Sequence, residues 1–216
     1  MSKKRIAVLL SGTGRSLQNL MVAQGDGRLD CEFCLVLSNR RRARGLEIAA
    51  AAGIPTAVVS KRSFANGAAF NDEISKTLEA AKPDFIVMAG FLAFYDLPQR
   101  WRGKILNIHP SLLPAFGGKG FYGHYVHEAV LEAGVRVTGC TVHFVDNVYD
   151  HGPALLQLTC PVLPHDDADS LAARVFEREC VALPRALAWV LDGRASLTED
   201  GDRVVFADGF KAAEFS

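Results

Sequence analysis

Apolar positions in this chain gather into short, near-continuous runs, "RIAVLL" (5–10), "CEFCLVLS" (31–38), "TAVVS" (56–60) and "DFIVMAG" (84–90), and "KILNIH" (104–109) reads as a further strand. Runs of that length without alternation are how strands buried on both faces read. Between them, residues 17–24, 43–52 and 68–81 carry helical spacing, the last stopped before Pro83. Strand and helix in alternation predict βαβ units with right-handed crossovers and a parallel sheet.

The pattern changes past residue 109. "VRVTGCTVHFV" (135–145) and "PALLQLTCPV" (153–162) are long strand-like stretches joined by the turn-rich "DNVYDHG", which predicts two neighbouring antiparallel strands. Residues 166–191 read as one long helix with Pro184 placed to kink or divide it. Residues 194–208 read as a short hairpin around Asp200-Gly201. The expected class is α/β: an open, mostly parallel, twisted Rossmann-like sheet with helices on both faces and an antiparallel extension in the C-terminal half. No repeat or linker interrupts it, and 216 residues suit one domain. That domain is expected to span 1–216, with an N-terminal half (about 1–103), a C-terminal half (about 104–192) and the terminal hairpin (194–208).

Charge narrows the picture by exclusion. Lys and Arg number 24 and Asp and Glu number 24, so no bulk attraction to nucleic acid or a membrane is expected. The run Arg40-Arg41-Arg42 with Arg44 reads as a solvated helix start rather than an anion patch. "MSKKRIAVLL" lacks the apolar length and cleavage site of a signal peptide, and no later stretch is long enough to span a bilayer. The cytoplasm is the expected location. The five cysteines are an odd number, and the Cys31/Cys34 C-x-x-C lies in a strand rather than at a helix start. Structural thiols are expected.

Three strand ends carry candidate chemistry, because open parallel sheets bind ligands at the carboxyl ends of their strands. After the first strand, "SGTGRS" puts two glycines at a helix start, which suits either a plain tight turn or the cradling of a small phosphate monoester. Leu17 stands where a dinucleotide fingerprint needs its third glycine, and no Gly-Lys-Ser/Thr follows. After the fourth strand, "AGFLAFY" (89–95) offers an apolar lip. At the end of the fifth, Asn107 and His109 are two apart and share a face. Asp150, in the turn between the two long strands, is a candidate partner for His109, since a carboxylate beside an imidazole favours its protonated form. An amide beside the pair can support an oxyanion. Ser111 has no nucleophile elbow around it. Asn, His and Asp without a nucleophile suit direct attack by a substrate amine on an acyl group. His124, His127, Cys140 and His143 read as structural or rim residues.

"LNIHPSLLP", "TGCTVHFVDNVYDHGP" and "SGTGRSLQNL", in this order and spacing over about residues 5–192, resemble the glycinamide ribonucleotide formyltransferases of the folate-dependent formyltransferase superfamily. The resemblance implies formyl transfer from 10-formyltetrahydrofolate to the amine of glycinamide ribonucleotide in purine synthesis, without a metal. It implies Asn107, His109 and Asp150 as the catalytic set, and Gly14, Arg15 and Ser16 on the substrate phosphate. Glu179 would meet the ribose. Leu92, Ala93, Phe94 and Tyr95 would line the folate, along with Asn107 and the loop of Asp146, Asn147, Val148, Tyr149 and Asp150. Thr13, Arg15 and Ser16 replace an asparagine-rich loop, Ala93 and Gly67 stand where the family can have basic residues, and the stretch 116–125, with Lys119, is long. Formyltetrahydrofolate hydrolase, another amine formyltransferase and a non-catalytic nucleotide-binding module are the alternatives. The first normally carries an added N-terminal domain. Small molecules are the expected partners, and monomer and homodimer both stay open.

Overall fold

Residues 3–211 are described by the computed structural model. They fall into two compact units that divide between Leu106 and Asn107.

In the first unit, β1 (Lys4–Leu10) has Ile6, Ala7, Val8 and Leu9 wholly buried, which is why its apolar run does not alternate. β2 (Cys31–Ser38) and β4 (Phe85–Met88) flank it in parallel, with Val8 opposite Val36 and Val87. β3 (Thr56–Val58) pairs in parallel with β2. Register passes from Ile6–Phe33 to Ala7–Leu35, leaving Cys34 as an extra residue in a bulge. Cys31 and Cys34 are free and buried, and burial pushes the Cys31 thiol up to about 11, far from a reactive thiolate.

Helices α1 (Arg15–Gly25), α2 (Arg44–Ala51) and α3 (Gly67–Ala81) join these strands. α1 begins two residues before the apolar periodicity suggests. Gly14 makes the turn at φ 77°, and a Cβ there would lie 2.6 Å from the Gly45 Cα. The Asn66 side chain caps α3 by accepting from the Ala69 N–H at 2.9 Å. β4 stops at Met88, short of the expected residue 90, because Gly90 turns away at φ 72° and its carbonyl accepts from the Ser11 N–H at 2.9 Å. β3 ends early too, since a 3₁₀ turn, Lys61–Ser63, follows it.

The second unit takes up β5 (Ile105–His109) at Asn107 and continues with α4 (His124–Glu132), β6 (Val137–Phe144), β7 (Ala154–Pro161) and α5 (Ala168–Leu191). β6 and β7 are antiparallel, as their patterning predicts. Gly139 is obligatory there, because a Cβ would lie 1.9 Å from the Leu158 carbonyl oxygen. α5 runs unbroken through Pro184. Its start is locked by a capping box between Asp167 and Ser170, and by Arg174 donating to both oxygens of Asp166. β8 (Ala195–Leu197) and β9 (Val204–Phe206) form the expected antiparallel hairpin. The strand order is β3-β2-β1-β4-β5-β6-β7 in the main sheet and β8-β9 in the small one. This is the mostly parallel, Rossmann-like α/β class with an antiparallel extension. Among the described residues no helix is long and apolar enough to cross a membrane.

Candidate active site

Side chains from β5, β6 and the β6–β7 turn converge in the second unit. Thr141 and His143 are two apart on β6 and share its face, while Cys140, Val142 and Phe144 fill the other. Thr141 Oγ1 donates to the Ser111 carbonyl (2.7 Å) and accepts from the Leu113 N–H (3.0 Å). Gln157 Nε2 donates to the Leu113 carbonyl at 2.9 Å. Ser111 is itself buried and donates to the Ala115 carbonyl at 2.6 Å, so its hydroxyl is structural rather than nucleophilic. These bonds fix the segment after β5 and bring the Phe116 carbonyl to His109.

His109 is 4% exposed, and its ring is gripped from both nitrogens. Nε2 donates to the Phe116 carbonyl at 2.8 Å, and Nδ1 lies 3.5 Å from Asp150 Oδ2. The same Asp150 oxygen accepts from the Gly118 N–H at 3.0 Å. Phe116 and Asp150 both have positive φ, 54° and 51°, a conformation that costs a non-glycine residue about 1–3 kcal/mol. Two strained residues therefore hold the one imidazole. Gly152, just past the turn, cannot carry a side chain: its Cβ would lie 2.0 Å from the Phe144 carbonyl oxygen.

Asn107 is held by a residue assigned above to structure or rim. Its Nδ2 donates to His143 Nε2 at 3.0 Å, while His143 Nδ1 donates to the Phe144 carbonyl at 2.9 Å. Burial lowers the His143 pKa, keeping the ring neutral, as an accepting Nε2 requires. The second N–H of Asn107 makes a long 3.5 Å bond to Asp150 Oδ1. That loosely held N–H is the one an incoming oxyanion can take over. His143 thus belongs to the cluster. The signal for it was present in the sequence, since Thr141 and His143 are polar positions spaced to share one face of an otherwise apolar strand.

The remaining expected residues are distributed as follows. In the first unit Gly14 is buried, Arg15 exposed and Ser16 half-buried at the start of α1, whose first turn has no side-chain cap and no acidic residue. Ser11 Oγ ties three strand ends together, donating to Asn39 Oδ1 (2.6 Å) and accepting from the Leu92 N–H (2.8 Å). Leu92 and Phe94 are exposed at 41% and 37%, and Ala93 is half-buried. Tyr95 differs: its ring is buried and its hydroxyl pairs with Ser75 at 2.7 Å, so it supports the segment from below. In the second unit Asn147, Val148 and Tyr149 are exposed. Asp146 braces their loop, accepting from the Val148 N–H (2.9 Å) and from His151 Nδ1 (2.7 Å). Glu179 is half-buried on α5, and its charge adds to the burial that chiefly raises the Cys140 thiol pKa. His127 is buried at the start of α4, and burial lowers its pKa to about 4. Among the described residues no group of three or more His, Cys, Asp or Glu is arranged to hold a metal ion.

An amide, an imidazole and a carboxylate meet here on a Rossmann-like sheet, and the hydroxyl of Ser111 is tied to backbone carbonyls. The profile of the family described as Formyl transferase matches residues 4–187, and the chain belongs to that family. It is 38% identical over 208 residues to the phosphoribosylglycinamide formyltransferase of Haemophilus influenzae, covering 95% of this chain and 94% of that one. It is 42% identical over 202 residues to the trifunctional purine biosynthetic protein adenosine-3 of Drosophila melanogaster, which covers 92% of this chain but only 15% of that protein. Among solved structures, glycinamide ribonucleotide transformylase 1 from Symbiobacterium toebii superposes with a TM-score of 0.88 at 36% identity, covering 95% of each chain.

Proposed function

We propose that this chain transfers a formyl group from 10-formyltetrahydrofolate to the amine of glycinamide ribonucleotide. The observation that carries the reading is Asp150 reaching both His109 and Asn107 with its two oxygens. The folate cosubstrate supplies an activated formyl group. Asn107 Nδ2 donates its loosely held N–H to the oxygen that becomes negative when the amine adds. As the bond from the formyl carbon to the folate nitrogen breaks, His109 delivers the Nε2 proton to that departing nitrogen, exchanging its bond to the Phe116 carbonyl for one to the substrate. The proton shed by the newly bonded amine restores the imidazole. Asp150 holds Nδ1 and balances the positive charge on the ring. The backbone N–H groups of Gly14 to Ser16, with the Arg15 guanidinium, take the phosphate, since a helix start with no side-chain cap leaves donors for an anion. Glu179 is the carboxylate for the ribose hydroxyls. Exposed Leu92 and Phe94, with Ala93 beside them, are surface suited to a flat folate ring, and the loop of Asp146, Asn147, Val148, Tyr149 and Asp150 is suited to the same role.

The test is a formyl-transfer assay with and without glycinamide ribonucleotide. Folate product that forms only when the ribonucleotide is present, with stoichiometric formylated product, supports the reading. Equal turnover in water alone identifies a hydrolase instead.

A further inference from the structure

The segment carrying the arginine run is fastened to the phosphate loop. Ser11 Oγ donates to Asn39 Oδ1 at 2.6 Å, the Gly45 N–H donates to the Gly12 carbonyl at 3.1 Å, and Gly14 packs directly against Gly45. Between those fixed points stand Arg40, Arg41, Arg42 and Arg44, all exposed. Other arginines of this chain find carboxylates: Arg5 with Glu32, Arg28 with Asp26, Arg100 with Glu79 and Arg174 with Asp166. None of these four forms an ion pair among the described residues.

A solvated helix start explains why α2 begins at Arg44, but not why it begins with cations. A helix N-terminus carries partial positive charge and favours acidic neighbours by about 0.3–1 kcal/mol each. Here the acidic residue of the first turn is Glu47, against four guanidinium groups at or just before the helix start. The chain as a whole has no net charge, so this is a local positive field rather than a consequence of composition. It borders the start of α1, a second helix N-terminus of the same sign.

We propose that Arg40, Arg41, Arg42 and Arg44 form a steering surface that draws a doubly charged phosphate monoester onto the start of α1. The proposal rests on the reading of that loop as the phosphate site. The loop holds the phosphate, while the arginines raise the frequency of productive encounter and leave the chemical step alone.

The experiment replaces Arg40, Arg41 and Arg42 by Gln together, with an all-Lys triple variant that keeps the charge. kcat/KM for glycinamide ribonucleotide is measured from about 0.02 M to about 0.5 M salt, where the screening length shrinks from roughly 20 Å to a few Å. The Gln variant is expected to lose about tenfold in kcat/KM at low salt, to converge with wild type at high salt, and to keep kcat. The Lys variant is expected to follow wild type. A deficit that is the same at every salt concentration, or no deficit at low salt, overturns the proposal. Titration with ribose 5-phosphate followed by ³¹P NMR reads the patch without turnover: binding should weaken in the Gln variant at low salt only. Should wild type fail to formylate the ribonucleotide while that salt-dependent loss appears, the acceptor assignment falls and the steering surface stands. Equal ribose 5-phosphate affinity in all three proteins at low salt removes the steering surface whatever the turnover shows.

Discussion

Asp150 Oδ2 lies 3.5 Å from His109 Nδ1 and is fixed there by a 3.0 Å hydrogen bond from the Gly118 amide. One carboxylate, held by the backbone of the loop that also supplies the Phe116 carbonyl, sets the orientation of the imidazole. Asp150→Asn keeps the shape and removes the charge. It is expected to lower kcat by about a hundredfold or more, as for the loss of a general acid, with smaller changes in either KM. Steady-state kinetics of both proteins decide it: near-normal turnover would reduce Asp150 to a turn residue.

His143→Leu takes the acceptor from Asn107 while filling similar space. The amide is then free to rotate away from the position set by the 3.0 Å bond. A loss of ~10- to 100-fold in kcat is expected, the scale of a misplaced catalytic group, with the KM for formyl-folate little changed. His143→Gln, which restores an acceptor, should recover part of it. Failure of Gln to improve on Leu would argue that the ring only fills volume.

Gly14 is a poor place to probe phosphate binding by mutation. Any side chain there meets Gly45 and must accept φ 77°, so Gly14→Val is expected to cost about 2–4 kcal/mol of stability through strain and overpacking. Urea denaturation measures it. Arg15→Ala tests the proposed phosphate contact more cleanly. It should raise the ribonucleotide KM about tenfold, the scale of one charge-assisted hydrogen bond, and leave the KM for formyl-folate unchanged.

His127 makes the fold sensitive to acid. Burial lowers its pKa to about 4, and its Nδ1 has no hydrogen-bond partner among the described residues. The unfolded chain, with an ordinary imidazole near pH 6.5, therefore binds more protons than the folded one at any pH between these values. The resulting stability is fully present above about pH 6.5 and is lost progressively as pH falls toward 4, on the order of 2–3 kcal/mol in all. His127→Leu should flatten the stability profile across that window. Urea midpoints at pH 7 and pH 4.5 for both proteins test it, and parallel losses would place the acid sensitivity elsewhere.

Much of this protein is legible in its residue pattern, for a physical reason that is local. A strand buried on both faces has few polar positions to interrupt it, so β1 and β2 appear as near-continuous apolar runs with near-correct bounds. The β8–β9 hairpin and the pairing of β6 with β7 follow from turn chemistry and spacing within a few residues. Asn107 and His109 stood out for the same reason, as polar positions where an apolar strand ends. Strand ends were less readable, because β4 stops where Gly90 turns to meet the Ser11 amide, a contact made across the sheet.

What the sequence determined by itself was the class of fold and the identity of Asn107, His109 and Asp150 as candidates, since strand period, turn residues and side-chain chemistry act over short stretches of chain. Tertiary structure alone decided what holds those groups in place. His143 becomes the partner of Asn107 only when β6 lies in register within the sheet, and the Phe116 carbonyl reaches His109 only because Thr141 and Gln157 tie down the segment between them. The burial that keeps His143 neutral is likewise a property of the packed chain. These relationships depend on distances between residues tens of positions apart, and such distances are set by packing rather than by any local pattern.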